Sequence, residues 1–147
     1  MKGKGNALEI LMVEDSPSDV FLTQEALKQT DGLCRIHVVS DGVEAMDFLR
    51  KQGEYTQAPR PDIILLDLNM PRKDGREVLL EIKSDEKLKC IPVLVLTSSS
   101  AEQDIAKAYS LHANCYITKP VDFARFKEVI NSIKIFWFGN VTLPPHE

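Results

Sequence analysis

The stretch Asp62-Ile63-Ile64-Leu65-Leu66-Asp67-Leu68-Asn69-Met70-Pro71 decides how the rest of the chain is read. Ile63–Leu66 is apolar without alternation and of strand length, which fits a strand covered on both faces rather than one lying against solvent. The run stops abruptly at a carboxylate, Asp67. Outward from it, residues 8–13, 91–96 and 115–117 form further continuous runs, and residues 35–39 partly alternate, as a strand nearer a sheet edge does. The segments between them carry apolar residues at helical spacing. The first opens at Ser16-Pro17, a serine cap followed by a first-turn proline. Others are predicted at about 41–52, with Gly53 as a stop, then at 75–83, 102–110 and 123–136. Strand followed by helix, repeated five times, predicts an α/β domain. Its architecture would be a doubly wound five-stranded parallel sheet with five helices, right-handed crossovers, and its chemistry at the carboxyl ends of the strands.

Composition bounds this reading. The chain has 147 residues, of which 44% are hydrophobic and 27% charged, enough for one globular domain. The strand and helix units place that domain at residues 1–137, with a C-terminal tail at 138–147 and no length left for a fused output domain. Eighteen Lys and Arg against twenty-two Asp and Glu give a net charge of −4, so there is no basic footprint for direct nucleic-acid binding. No apolar run approaches the roughly 20 residues of a membrane span, and residues 1–6 lack the apolar core of a signal peptide, which points to the cytoplasm and away from membranes. Cys34, Cys90 and Cys115 form no metal or disulfide spacing and are expected to be free, mostly buried thiols. His37, His112 and His146 are scattered without metal spacing.

The polar residues that follow the apolar runs carry the functional signal. Glu14-Asp15 follows the first strand, Asp67 the third, Thr97-Ser98 the fourth and Lys119-Pro120 the fifth. Strand ends in such a sheet converge on one edge, so three carboxylates, a hydroxyl and an ammonium would share a pocket. Each has an ordinary reading when taken alone. Asp67 could cap a turn, Glu14-Asp15 could favour a helix N-terminus, Thr97 could be a β-branched strand residue and Lys119 a solvated charge. Together the carboxylates repel unless a cation intervenes, and a hard oxygen set with few dedicated ligands suits Mg2+.

In this order, Val13-Glu14-Asp15, Leu65-Leu66-Asp67-Leu68-Asn69-Met70-Pro71, Asp74-Gly75, Leu96-Thr97-Ser98 and Tyr116-Ile117-Thr118-Lys119-Pro120 resemble the receiver domains of two-component response regulators over residues 8–136. The resemblance implies the flavodoxin-like receiver fold and a phosphorylation switch in which Asp67 accepts a phosphoryl group from a sensor histidine kinase. It further implies Mg2+ held by Asp15 directly, by Glu14 through water, by the Asp67 carboxylate and by the main-chain carbonyl of Asn69. Lys119 would pair with the phosphoryl group, Thr97 would turn its hydroxyl to it, and Tyr116 would be the aromatic that moves inward as Thr97 vacates space. The domain would catalyse only its own phosphorylation and dephosphorylation. Two positions depart from the commoner pattern: Glu14 stands where aspartate is usual, and Ser98 where many relatives have alanine.

Residues 53–61, 72–79 and 136–145 resemble the response regulators that partner cyanobacterial phytochromes, which implies a phytochrome as the kinase. A helix ending in Phe136, Trp137 and Phe138 cannot aim all three rings at one core face, so a homodimer built on the last helix and tail is expected. Two other functions fit these residues less well. An aspartyl-phosphate phosphohydrolase wants a second carboxylate two residues after the nucleophile, and here that position is Asn69. A phosphorylation-independent adaptor would not need the full acidic, hydroxyl and lysine set.

Overall fold

The structure, a computed structural model, describes residues 7–28 and 34–145. Five parallel strands, β1 (Leu8–Val13), β2 (Cys34–Val39), β3 (Ile63–Leu66), β4 (Val93–Thr97) and β5 (Cys115–Thr118), form one sheet in the order β2-β1-β3-β4-β5. The helices are α1 (Pro17–Leu27), α2 (Gly42–Arg50), α3 (Gly75–Ser84), α4 (Glu102–Ser110) and α5 (Phe123–Ile133). The alternation of a strand's side chains divides the core in two. Ile10, Met12, Ile63 and Leu65 pack against Leu27 of α1 and Phe126 and Ile130 of α5. Leu11, Val13, Ile64 and Leu66 face α2, α3 and α4. All four side chains of β3 are at most 2% exposed, each stabilising the fold by about 1.5–3 kcal/mol, which is why the quoted stretch has no polar residue until its end.

Local chemistry sets the helix ends. Ser16 caps α1 by accepting from the Asp19 N–H at 3.3 Å, with Pro17 at the first helical position. Asp41 caps α2 by accepting from the Glu44 N–H at 2.9 Å, and Asp74 and Glu77 form a reciprocal capping box on α3. Expectation and structure part at two helix ends. α2 stops at Arg50 because Lys51 takes the left-handed cap conformation at φ 56°, while Gly53 begins a short 3-10 turn, Gly53–Tyr55. The last helix leaves α-geometry after Ile133 and continues as a π-helical stretch, Lys134–Asn140. The 137/138 boundary expected from the sequence falls inside this stretch, and Trp137, Phe138 and Leu143 lean on the core of the α1/α5 face. Cys34 and Cys115 are half-buried, but Cys90 is exposed, contrary to the expectation of mostly buried thiols.

The first apolar run also hides a charge. Glu9, buried in β1, accepts from Arg35 and lies 2.8 Å from His37 Nε2, both on the neighbouring strand. Burial would lift its carboxyl, but the Arg35 and His37 contacts outweigh it and hold the group below its usual range.

Candidate functional site

Two strand ends, those of β1 and β3, deliver the acidic set. The Glu14 N–H donates to the Val39 carbonyl and the Asp67 N–H to the Val13 carbonyl, both at 3.0 Å, so the ladder itself places the two residues side by side. One oxygen each from Glu14, Asp15 and Asp67 lies within 4.8 Å of the others; Glu14 and Asp67 are buried and Asp15 is exposed. From the other side, the Lys119 N–H donates to the Thr97 carbonyl at 2.7 Å, which joins the β5 end to the β4 end. The Lys119 side chain, 9% exposed, donates to Glu14 Oε2 and, at 2.8 Å, to Asp19 Oδ2, and its Nζ stands 3.7 Å from Asp67 Oδ2. Glu14, Asp15, Asp67 and Lys119 are thus brought together, with the Thr97 backbone at the adjoining strand end.

The electrostatics of this cluster are unbalanced. Burial pushes the Glu14 carboxyl up to about 7; the bond from Lys119 opposes this and the nearby Asp67 charge adds to it. For Lys119, burial favours the neutral amine, but the bonds to Asp19 and Glu14 and the Glu14 and Asp67 charges raise its pKa overall. Thr97 is fully buried, and among the described residues its Oγ1 has no hydrogen-bond partner. A buried hydroxyl left unpaired costs about 1–3 kcal/mol. Three hard oxygen donors with a surplus of negative charge fit a divalent cation.

Asn69 is exposed in the β3–α3 loop, with its N–H 3.5 Å from Asp67 Oδ1. Tyr116 lies outside the pocket. Its half-buried ring packs on the α2, α3 and α4 core, and its hydroxyl donates to the Ser99 carbonyl at 2.8 Å in the loop after Thr97. Phe136, Trp137 and Phe138 belong to the π-helical stretch beyond α5 and take no part in the cluster. The sequence reading missed Asp19, because it follows no apolar run. Its signal is the cap: with Ser16 as N-cap, Asp19 is the third residue of α1's first turn, beside the end of β1. It also missed how Gly75 works, since a Cβ there would come within 2.3 Å of the Asp67 carbonyl oxygen.

The model of the response regulator receiver domain family matches residues 10–131. The chain belongs to this family. Response regulator Rcp1 of Synechocystis sp. is 50% identical over 135 residues, 92% of each chain. Among solved structures, the Mn2+-bound form of Rcp1 superposes with a TM-score of 0.91 at 49% identity, covering 94% of this chain and 99% of that one. The phosphorylated cyanobacterial phytochrome response regulator RcpA gives 0.93 at 50% identity, covering 95% and 100%. The chain is thus a receiver-domain response regulator of the kind found in two-component phytochrome signalling, and phosphorylation on aspartate is the mechanism of its family. Receiver domains bind a divalent metal and interact with histidine kinases, and as a class they are not conventional enzymes. Among the described residues no helix is long and apolar enough to cross a membrane.

Proposed function

We propose that Asp67 is the phosphoacceptor. A sensor histidine kinase presents a phosphohistidine; its N–P bond breaks as an Asp67 Oδ–P bond forms, and the imidazole leaves with a proton from solvent. The observation that carries this reading is the position of the Lys119 ammonium, 3.7 Å from Asp67 Oδ2, with the unpartnered Thr97 hydroxyl on the adjoining strand end. Both are donors suited to the oxygens of a transferred phosphoryl group, and in such transfers positioning and charge neutralisation do most of the work. Asp15, the Asp67 carboxylate, the Asn69 main-chain carbonyl and, through water, Glu14 would hold Mg2+. Held there, the ion would supply positive charge to offset that of the phosphoryl oxygens.

Tyr116 is the readout of the switch. It reaches Ser99, two residues beyond Thr97, so a turn of Thr97 toward the phosphoryl group is felt at its hydroxyl bond. The domain also catalyses loss of its own phosphoryl group. The likeness to RcpA and Rcp1 supports a phytochrome as the kinase and a cytoplasmic setting. The C-terminal aromatics support a homodimer of two receiver domains.

The test is incubation with acetyl phosphate, and separately with a phosphorylated phytochrome kinase, in Mg2+, comparing the wild type with Asp67→Asn. The wild type acquires acid-labile phosphate from both donors and the variant from neither. Equal labelling of the two proteins, or none of either, refutes the site, and labelling by acetyl phosphate alone refutes the phytochrome partner.

A further inference from the structure

Among the described residues, Asp19 is the one carboxylate on Lys119 that stands outside the acidic metal set, and we propose that it is a positioning residue which holds the Lys119 ammonium ready for the phosphoryl group. The inference rests on the reading of Asp67 as phosphoacceptor. Lys119 Nζ has three protons and three carboxylates around it: Glu14 in direct contact, Asp19 at 2.8 Å and Asp67 at 3.7 Å. Glu14 belongs to the cluster that a divalent cation would claim, and so does Asp67. A cation there competes with Lys119 for both. Asp19 does not belong to that cluster, so its hold on the ammonium survives metal binding.

Asp19 is well placed for this. It lies in the first turn of α1, its N–H donates to the Ser16 hydroxyl at 3.3 Å, and its carbonyl accepts from the Thr23 hydroxyl at 2.8 Å. Thr23 is itself fully buried. The carboxylate is therefore mounted on a rigid helix end and only 24% exposed. From that mount it fixes one proton of the ammonium on the α1 side, leaving the other two for Glu14 and the Asp67 side. Without it, Lys119 rests on Glu14 and Asp67 alone, where it competes with the cation for their oxygens. Asp19 touches no reacting atom and acts only through Lys119.

The experiment is a double-mutant cycle between Asp19→Ala and Lys119→Gln, read both as Mg2+ affinity by calorimetry and as the rate of phosphorylation by acetyl phosphate. Asp19→Ala alone is expected to lower each by about fivefold, in the range of couplings between contacting residues, and Asp19→Glu to restore most of the loss. In the Lys119→Gln background, removing Asp19 has no further effect. The calorimetric arm needs no phosphorylation and remains readable if that background labels too slowly. A third arm follows the Lys119 ammonium by 15N NMR in metal-free protein, where its slowly exchanging signal is lost in Asp19→Ala. An equal effect of Asp19→Ala in both backgrounds would show a through-space charge effect and overturn the proposal, as would wild-type affinity and rate in the single variant. Asp67→Asn is run alongside: if it still takes up phosphate, the reading of Asp67 fails, whatever the cycle returns.

Discussion

Glu14 is where the charge of the pocket is least settled. Desolvation favours its protonated form, Asp67 adds repulsion, and the Lys119 bond only partly offsets them, so the carboxyl titrates at about 7 rather than at its usual 4.5. The raised pKa makes its contribution to the stability of the metal-free fold fully present below 4.5 and lost as the pH rises through about 7. A divalent cation needs the carboxylate, so binding below that pH must expel a proton. Mg2+ affinity measured by calorimetry should therefore fall as the pH is lowered from about 8 to 6, approaching about tenfold per unit below the pKa, with proton release varying in step between buffers of different ionisation enthalpy. Glu14→Gln should bind more weakly and without that slope. A wild-type affinity that is flat across this range would mean that Glu14 is already ionised and that Lys119 outweighs desolvation.

At the scale of elements, the loop between β3 and α3 must lie close against two neighbours, and glycine permits both contacts. Gly75 donates to the Leu68 carbonyl at 2.9 Å, and a Cβ there would come within 2.3 Å of the Asp67 carbonyl oxygen. Gly42, at the start of α2, donates to the Lys73 carbonyl at 3.1 Å, and its Cβ would meet the same oxygen at 2.3 Å. Arg72, at φ 64°, fixes the loop further through the buried Asp41 cap, with its Nε 2.8 Å from Oδ2. Each Gly→Ala change should cost about 1–3 kcal/mol in chemical denaturation, as overpacking does. Gly75→Ala, which presses on Asp67 itself, should slow phosphorylation by acetyl phosphate more than Gly42→Ala does; the reverse order would mean that the loop tip, not the Asp67 backbone, limits the reaction. These contacts show what the sequence could and could not reveal. The strands and the residues after them were legible because full burial forbids polar side chains and the strand ends must converge on one edge. Asp74-Gly75 reads in sequence as a turn and helix start, and nothing local says that the turn rests on Asp67. Glu9 was invisible for a related reason, since its partners Arg35 and His37 arrive from another strand. Lys51 ended α2 ahead of the glycine because a left-handed cap is open to other residues at a modest cost.

Across the whole molecule, the strand–helix alternation sends the chemistry to one edge of the sheet and the end of α5 to the opposite edge. α4 buries only Ala108, whereas α2 and α3 bury several residues each, so polar ties such as Tyr109 to the Tyr116 N–H at 3.1 Å and Asp104 to Arg76 at 2.8 Å do much to hold it. A helix anchored so lightly is the natural place for a phosphorylation signal to change the surface. The C-terminal aromatics divide between this chain's own core and solvent. Trp137 and Phe138 spend their apolar area on this chain's own core, while Ile135 at 57% and Phe136 at 55% exposure remain in solvent. The Phe136 ring is held edge-on to Trp137, with centroids 5.9 Å apart and an interplanar angle of 87°, so it is ordered before any partner arrives. A rigid exposed aromatic beside an exposed isoleucine is the composition of an interface anchor, and in the proposed homodimer a second copy would offer the same pair across a two-fold axis. Sedimentation of the chain with its tail intact at high micromolar concentration should therefore show a dimer. Phe136→Glu, which places a charge at that axis, should weaken it by about tenfold or more while leaving phosphorylation by acetyl phosphate unchanged, because the pocket lies at the other edge. Trp137→Ala should instead lower the melting temperature of the monomer, since it opens the core beneath. A wild-type protein that stays monomeric under these conditions, or a Phe136→Glu protein as dimeric as the wild type, would remove this surface from the account of how the regulator assembles.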